Sequence, residues 1–348
     1  MSGGQRGRSG QGGQSTESTT STMSTVILHH LGIRQLPVSN SSLSVPVVPG
    51  YHTAASGGYR MDPSRYRILI RGGGELASAT AHHLFREGFT RILILERRFP
   101  KAVRRSVCFS EAILDGRATV DGVTVVQVRT LEGVEEAHRQ GTIGIMAANL
   151  EKVIEQWRPD VFIEATMLRQ NWGLQRSMAP VVIALGPGYT AGKDCHAVVD
   201  TVRGPSVGSV LEDTGENLES RPPADIMGFT DERSLKAVRD GIFFTQLKIG
   251  DKVERGERVG TVVSVFGIED YRRGVPIDAS YTVTARISGV IRGLLRDGVP
   301  VKKGDRIGDV DPRGFTDDLD HLSDKSRRVA EGVHEALVDM AHLLSPAT

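Results

Sequence analysis

The sequence predicts an α/β protein in three parts: a Rossmann-like parallel-sheet domain, a small β-rich domain and a closing C-terminal helix. Short apolar runs alternate with helically spaced apolar residues from Arg67 to Leu185, the pattern of a parallel sheet covered on both faces. A glycine cluster, Gly72-Gly73-Gly74, follows the first of those runs. Further on, Gly241–Val262 recurs as Gly289–Val310, an offset of 48 residues.

The chain's 348 residues allow more than one core. A net charge of +1 offers no electrostatic basis for binding nucleic acid or an anionic membrane. No apolar run approaches the roughly 20 residues of a membrane span. Two cysteines, Cys108 and Cys195, stand far apart, which suits a reducing cytoplasm and argues against a disulfide framework. The expected setting is therefore cytoplasmic, with neither a nucleic-acid nor a membrane partner. Residues 1–62 read as a disordered tail. Its first 25 residues are almost all Ser, Thr, Gly and Gln, too poor in apolar side chains to repay ordering. Met61 directly precedes the first strand and reads as an alternative start, so the tail need not belong to the native protein.

The Rossmann-like domain is placed at 63–222. Ile68-Leu69-Ile70 is a short buried strand. Ala77, Ala81 and Leu84 follow at helical spacing, and Gly88 stands where that helix should end. Arg91–Glu96 forms a second buried strand, and Ser110 reads as the N-cap of a short helix at 111–114. Asp121-Gly122 between Val/Thr-rich runs marks a hairpin. Strands at 143–147 and 160–165 flank a helix at 149–157, and a strand at 180–185 runs into Gly186-Pro187-Gly188.

Gly72, Gly74 and Ala77 satisfy G-x-G-x-x-A between a strand and a helix. Glu96 ends the next strand about 20 residues later, where a ribose-binding acid belongs. The backbone N–H groups of Gly72, Gly73 and Gly74 would then meet a pyrophosphate at the positive end of the helix. Glu75, in the first turn, opposes a phosphate there, and Arg71 is placed to offset it. A tight structural turn is the competing reading. Arg104 and Arg105, in the basic stretch after Glu96, are candidate ligands for phosphate or carboxylate; a solvated surface loop is the alternative. The second glycine loop puts Gly186, Gly188 and Thr190 after another strand, on the same carboxyl-end rim as the first. Asp194, Cys195 and His196 follow together, with Asp200 on the same face if the segment is helical. They form a candidate catalytic group, with His196 as a base oriented by a carboxylate and Cys195 as a nucleophile beside it. Arg203 is a further candidate anion contact. No metal is expected, because the local sequence supplies too few ligands. Cys108 reads as a small buried residue.

The β-rich domain is placed at 223–314. Each copy of its repeat has two short strands joined by glycine turns and cannot bury its apolar face alone. The copies should therefore pair as a pseudo-symmetric sandwich. The shared V-x-x-G-x-x-[IV]-G pattern resembles the barrel-sandwich hybrid of the lipoyl and biotinyl family. Carrier members of that family present a modified lysine between the halves. Residues 261–288 contain no lysine, so neither biotin nor lipoate is expected. Residues 315–348 form the closing helix, where Val329, Val333, Ala336 and Met340 make one stripe for packing onto the body.

With these residues in view, the chain from about Arg67 to Ala336 resembles the YqeB-type accessory proteins of selenium-dependent molybdenum hydroxylase systems. The resemblance is carried by Ile70–Ala77, Arg104–Ala112, Ala184–Gly192 with Asp194 and His196, Arg286–Gly298 with Lys302-Lys303-Gly304, and Ser323-Asp324-Lys325. It implies maturation or cofactor handling for a molybdenum hydroxylase client. The guest would be a molybdopterin-type dinucleotide or related nucleotide between the two glycine loops, its phosphates held by Arg71, Arg104 and Arg105. Two further readings stand beside it. One is an NAD(P)-dependent oxidoreductase with Glu96 on the ribose and His196 as proton donor. The other is a non-enzymatic interaction scaffold. Whether any reaction is catalysed is left open by the sequence.

Overall fold

Residues 61–212, 225–264, 267–274, 281–314 and 319–344 are described by a computed structural model of the chain. The expected tail, but for its last two residues, and the expected boundaries at 222/223 and 314/315 lie largely outside them. β1 (Arg67–Arg71) buries its three apolar residues completely. Ile68 and Ile70 face one core and Leu69 the other, the alternation of a strand covered on both sides. Then come α1 (Glu75–Arg86), β2 (Arg91–Leu95), the short α2 (Ala112–Asp115), β3 (Arg117–Val120) and β4 (Val123–Gln127). α3 (Leu131–Arg139), β5 (Ile143–Met146), α4 (Leu150–Trp157), β6 (Val161–Glu164), β7 (Val181–Leu185), β8 (Ala197–Val199) and β9 (Val210–Glu212) complete the first part.

These nine strands form one sheet in the order β3-β4-β5-β2-β1-β6-β7-β8-β9. The stretch from β4 to β8 is parallel, and β3 and β9 close its edges antiparallel. The expected hairpin joins β3 to β4 through Asp121 and Gly122. The side chains of Thr130 and Asn149 accept the N–H groups of Gly133 and Lys152 and so start α3 and α4.

Two local expectations are corrected. Ser110 caps no helix: α2 starts two residues later, and the Ser110 Oγ is buried without a hydrogen-bond partner. Its backbone N–H donates to Gly73 O at 3.0 Å instead, which ties this segment to the glycine loop. The segment after His196 is strand rather than helix, so Asp200 lies beyond the far end of β8 from His196 and shares no helical face with it. The apolar run Ala197-Val198-Val199 fits either period, and pairing with β7 decides it.

The β part comprises β10 (Ser234–Lys236), β11 (Gly241–Phe244), β12 (Lys252–Val253), β13 (Arg258–Val263), α5 (Ile268–Arg272), β14 (Thr282–Thr284), β15 (Gly289–Leu294), β16 (Val299–Val301) and β17 (Arg306–Asp311). They make two four-stranded sheets, β10-β17-β15-β12 and β14-β13-β11-β16, around one apolar core. The register repeats with the sequence: Ile242 pairs with Val263 and, 48 residues on, Val290 pairs with Asp311. The halves also exchange strands. β12 of the first half pairs with β15 of the second, and β16 of the second with β11 of the first. β10 and β14, again 48 residues apart, cross over in the same way.

The last element, α6 (Asp324–Asp339), is started by Ser323, whose hydroxyl accepts the Ser326 N–H. Val329, Val333, Ala336 and Met340 are all buried, as their spacing predicts, in the core that also holds Ile68, Ile70 and α1. The closing helix therefore covers the parallel sheet beside α1.

Candidate functional site

Parallel strands put their carboxyl ends on one rim, and open α/β sheets bind ligands where the chain order reverses along it. Here that place lies between β1 and β6. Arg71 and Glu164 are register partners and form an ion pair at 3.0 Å. Glu164, 1% exposed, also accepts the N–H and the hydroxyl of Thr166. Tyr189 lies against them; burial, then the charge of Glu164, pushes its phenol up to about 12. Glu164 and Tyr189 are thus buried and mutually engaged at the place where the chain order reverses.

The two glycine loops share the rim, as expected, and the chain after β6 runs close against both. A Cβ on Gly72, at φ 106°, would lie 2.9 Å from Ala165 O, and one on Gly188, at φ 103°, 2.5 Å from the Arg169 carbonyl carbon. Both glycines are thus explained by chain crossing. Gly186 backs onto Thr201 and Met167. The Gly73 N–H is taken by Glu96, which accepts it at 2.8 Å. A carboxylate therefore occupies the position a pyrophosphate oxygen would need, and Glu96 is committed to the loop rather than to a ribose. Gly74 is the first residue flanking α1, and Ala77 is fully buried within that helix.

Asp194, Cys195 and His196 build a turn. Asp194 accepts the Thr190 N–H at 2.8 Å, and Cys195 is fully buried. Nδ1 of His196 accepts the Val182 N–H at 2.9 Å. Val182 stands near the start of β7, about 13 Å along the strand from Gly186. The trio thus returns the chain to the beginning of β8 and is not brought to the first glycine loop. Asp200 accepts the Val202 N–H and the Ser206 hydroxyl. Cys108 is enclosed, and burial, then the charges of Glu75 and Glu111, pushes its thiol well above the ordinary value. Among the described residues no group of three or more His, Cys, Asp and Glu side chains could hold a metal ion, and no helix is long and apolar enough to cross a membrane.

The densest charge cluster lies where the β part meets the start of α1. Arg104, 5% exposed, donates to Glu75 at 2.6 Å, and Ser323 donates to the same carboxylate at 2.7 Å. Glu75 is therefore balanced by Arg104, while Arg71 serves Glu164. Asp309, 3% exposed, faces Arg306 at 3.1 Å, Arg233 at 3.3 Å and Arg292 at 3.9 Å. Asp311 holds Arg313 at 2.7 Å. Burial, then the charge of Arg104, lowers the pKa of Arg292. Burial, above all, lowers the pKa of Lys325, on which the charges of Glu75, Arg203, Arg306 and Asp200 also act. In ion pairs, five cations (Arg104, Arg233, Arg292, Arg306, Arg313) meet three carboxylates (Glu75, Asp309, Asp311).

Arg105 has a different task. Its Nε donates to Leu294 O at 2.8 Å and its Nη1 pairs with Glu111 at 3.3 Å. Arg296 reaches back to Asp115 at 2.6 Å, and Leu294 N–H donates to Val103 O at 2.7 Å. These contacts dock the β part on the loop after β2.

Sequence reasoning missed Glu164, Arg233, Arg292, Asp309 and Asp311. A comparison of the repeat copies carries a signal for three of them. Phe244, Thr261 and Val263 in the first copy are replaced by Arg292, Asp309 and Asp311 in the second, so at these three positions only the second half is charged.

No family model matches the chain. The Escherichia coli (strain K12) protein described as "Uncharacterized protein YqeB" is 37% identical over 292 residues, 83% of this chain and 51% of that protein. The chain thus spans about half the length of this curated relative. Among solved structures, a succinylglutamate desuccinylase/aspartoacylase from Rhodobacter sphaeroides aligns at a TM-score of 0.23 and 13% identity, over 72% of this chain and 86% of that one. The E. coli tRNA N6-threonylcarbamoyladenosine dehydratase TcdA, in complex with AMP, aligns at 0.24 and 11% identity, over 80% and 89%. Scores this low carry no argument about fold or activity. The relationship to YqeB stands on sequence, and over its aligned length the chain belongs to the YqeB family.

Proposed function

We propose that this chain handles the cofactor of a molybdenum hydroxylase, holding a molybdopterin-type dinucleotide or related nucleotide by its anionic end. The reading joins the maturation role that the family resemblance implies to one observation. Cations outnumber carboxylates at the partly buried junction between the carboxyl rim and the β part. A phosphate there meets guanidinium forks in a partly desolvated setting, where charge-assisted bonds are strongest. This seat differs from the one the G-x-G-x-x-A motif suggests, because Glu75 and Glu96 place negative charge at the amide end of α1. The β part, in this reading a barrel-sandwich hybrid without a carrier lysine, covers the seat and offers a face to the client hydroxylase. The reading is one of binding and delivery, and it assigns no reaction.

Native mass spectrometry of the full chain, co-expressed with a molybdenum hydroxylase, is expected to find a bound pterin nucleotide. Arg292→Ala is expected to lose most of it. A wild-type chain that captures the hydroxylase yet never carries a nucleotide would overturn the proposal.

A further inference from the structure

We infer that the connection between β6 and β7 is a protein-docking surface anchored by Trp172, for a partner whose apolar pocket is bordered by carboxylates. The client of the proposed delivery, on which this inference rests, would then be gripped at the carboxyl rim. Trp172 is 63% exposed, whereas the other tryptophan, Trp157, is 3% exposed. Met167, 39% exposed, stands in the same connection at a left-handed φ of 61°. That conformation strains a non-glycine residue, and such strain gathers at functional sites. The connection is held on both sides of the exposed ring. Its first residues run against both glycine loops. Asn171 accepts the Leu174 N–H at 2.6 Å and donates to the Leu174 carbonyl at 3.0 Å, which fixes a turn with Trp172 and Gly173 at its tip. Leu174 is buried in the core that holds Leu69, and Arg176 donates to Gly192 O at 3.1 Å. The ring is thus held in water by its own backbone, and a partner that covers it has little loop freedom to remove.

Composition indicates the kind of partner. Residues 165–180 contain Arg169 and Arg176 and no Asp, Glu or Lys, in a chain whose charged fraction is 24%. Protein interfaces are enriched in Trp, Met and Arg and depleted in Lys, Asp and Glu, and Trp and Arg dominate their energetic anchors. Among the described residues the exposed side chain of Arg169 forms no hydrogen bond or ion pair. Its charge is therefore available to a carboxylate of the partner, in a charge-assisted bond. A small-molecule site would instead enclose most of its guest. A ring as open as that of Trp172 is complemented by a pocket in a second protein.

Biolayer interferometry tests the surface, with the full chain immobilised and a purified molybdenum hydroxylase in solution. Native mass spectrometry of the same proteins reports the bound nucleotide. The wild-type chain is expected to bind the hydroxylase. Trp172→Ala is expected to weaken that binding about thirtyfold and to leave the nucleotide content unchanged. Arg169→Gln should weaken it about tenfold at low salt and much less at high salt. Asn171→Ala keeps the ring but releases its turn, and its affinity should fall between those of the wild type and Trp172→Ala. Val338→Ser, at an exposed apolar residue of α6, is the control and should bind as wild type. Circular dichroism and the urea midpoint establish that each variant is folded. Wild-type affinity in Trp172→Ala, or no binding by the wild-type chain, removes the docking surface. Full affinity with loss of the nucleotide in Trp172→Ala makes the ring a ligand contact and overturns the inference. A wild-type dimer that Trp172→Ala converts to a monomer assigns the ring to a second copy and does the same. Trp172-dependent binding of the hydroxylase to a chain that never carries a nucleotide keeps the surface and removes the cofactor proposal.

Discussion

Gly188 and Gly74 stand in similar glycine-rich turns but have opposite surroundings. Gly188→Ala would bring a Cβ to 2.5 Å from the Arg169 backbone at a left-handed φ of 103°. It is expected to cost about 2–3 kcal/mol, strain and displacement together, read as a lower urea midpoint at unchanged slope. Gly74→Ala meets open space at an ordinary φ of −72° and should cost less than about 1 kcal/mol. The cysteines give a second test at this scale. Cys195 is fully enclosed and the Cys108 thiol is held neutral by burial and by Glu75 and Glu111. Neither is expected to react with an aromatic disulfide reagent in the native chain at mildly alkaline pH, and both should react in denaturant. Fast native labelling of Cys195 would restore its reading as a nucleophile.

The β3–β4 hairpin and α6 meet through one carboxylate. Asp121, at the hairpin tip, accepts the Leu322 N–H and contacts His321 at 2.9 Å and Arg327 at 2.8 Å. Burial alone would raise its pKa, but the hydrogen bonds from His321 and Leu322 and the charge of Arg327 outweigh it, and the net shift is downward. A folded value below the unfolded one means stabilisation that is complete above the ordinary carboxylate range near pH 4 and lost as pH falls through the lowered value. Asp121→Asn is expected to cost about 1 kcal/mol at neutral pH, since exposed partners are screened. The difference should vanish in strong acid, as thermal unfolding at both pH values would reveal. Elements like these were partly legible in the sequence. β1, α1, the hairpin and the α6 stripe follow from apolar period and turn residues, which act locally. Ser110 and the His196–Asp200 segment were misread because a neighbouring backbone, Gly73 in one case and β7 in the other, supplies the deciding bonds. β10 and β14 escaped the repeat alignment altogether: Ser234-Leu235-Lys236 and Thr282-Val283-Thr284 share no residue, and only their pairing reveals the match.

At the scale of the whole molecule, a symmetric β scaffold serves an asymmetric task. The half that faces the α/β rim carries Arg292, Asp309 and Asp311, while the equivalent Phe244 of the other half stacks on Tyr271 with ring centroids 4.5 Å apart. Asp309→Asn should destabilise the chain by about 3 kcal/mol, because it strands the buried Arg233 and weakens its partners. Replacing the cluster by its first-half or pseudo-equivalent residues (Arg233→Tyr, Arg292→Phe, Asp309→Thr, Asp311→Val) removes charges of both signs, and should cost less than the single change while losing the bound nucleotide. Urea unfolding and native mass spectrometry on the two proteins separate these effects. The location of the charge cluster could not be read from the sequence, since its members come from residues 75 to 313 and meet only when both parts are in place. That long closure has a further consequence. The Glu75–Ser323 bond spans 248 residues, and α6 shields the face of the sheet that begins at Ile68. A ribosome extending the chain at about 5–20 residues per second leaves that face uncovered for roughly 10–50 s, an interval in which the nascent protein is an obvious substrate for chaperones.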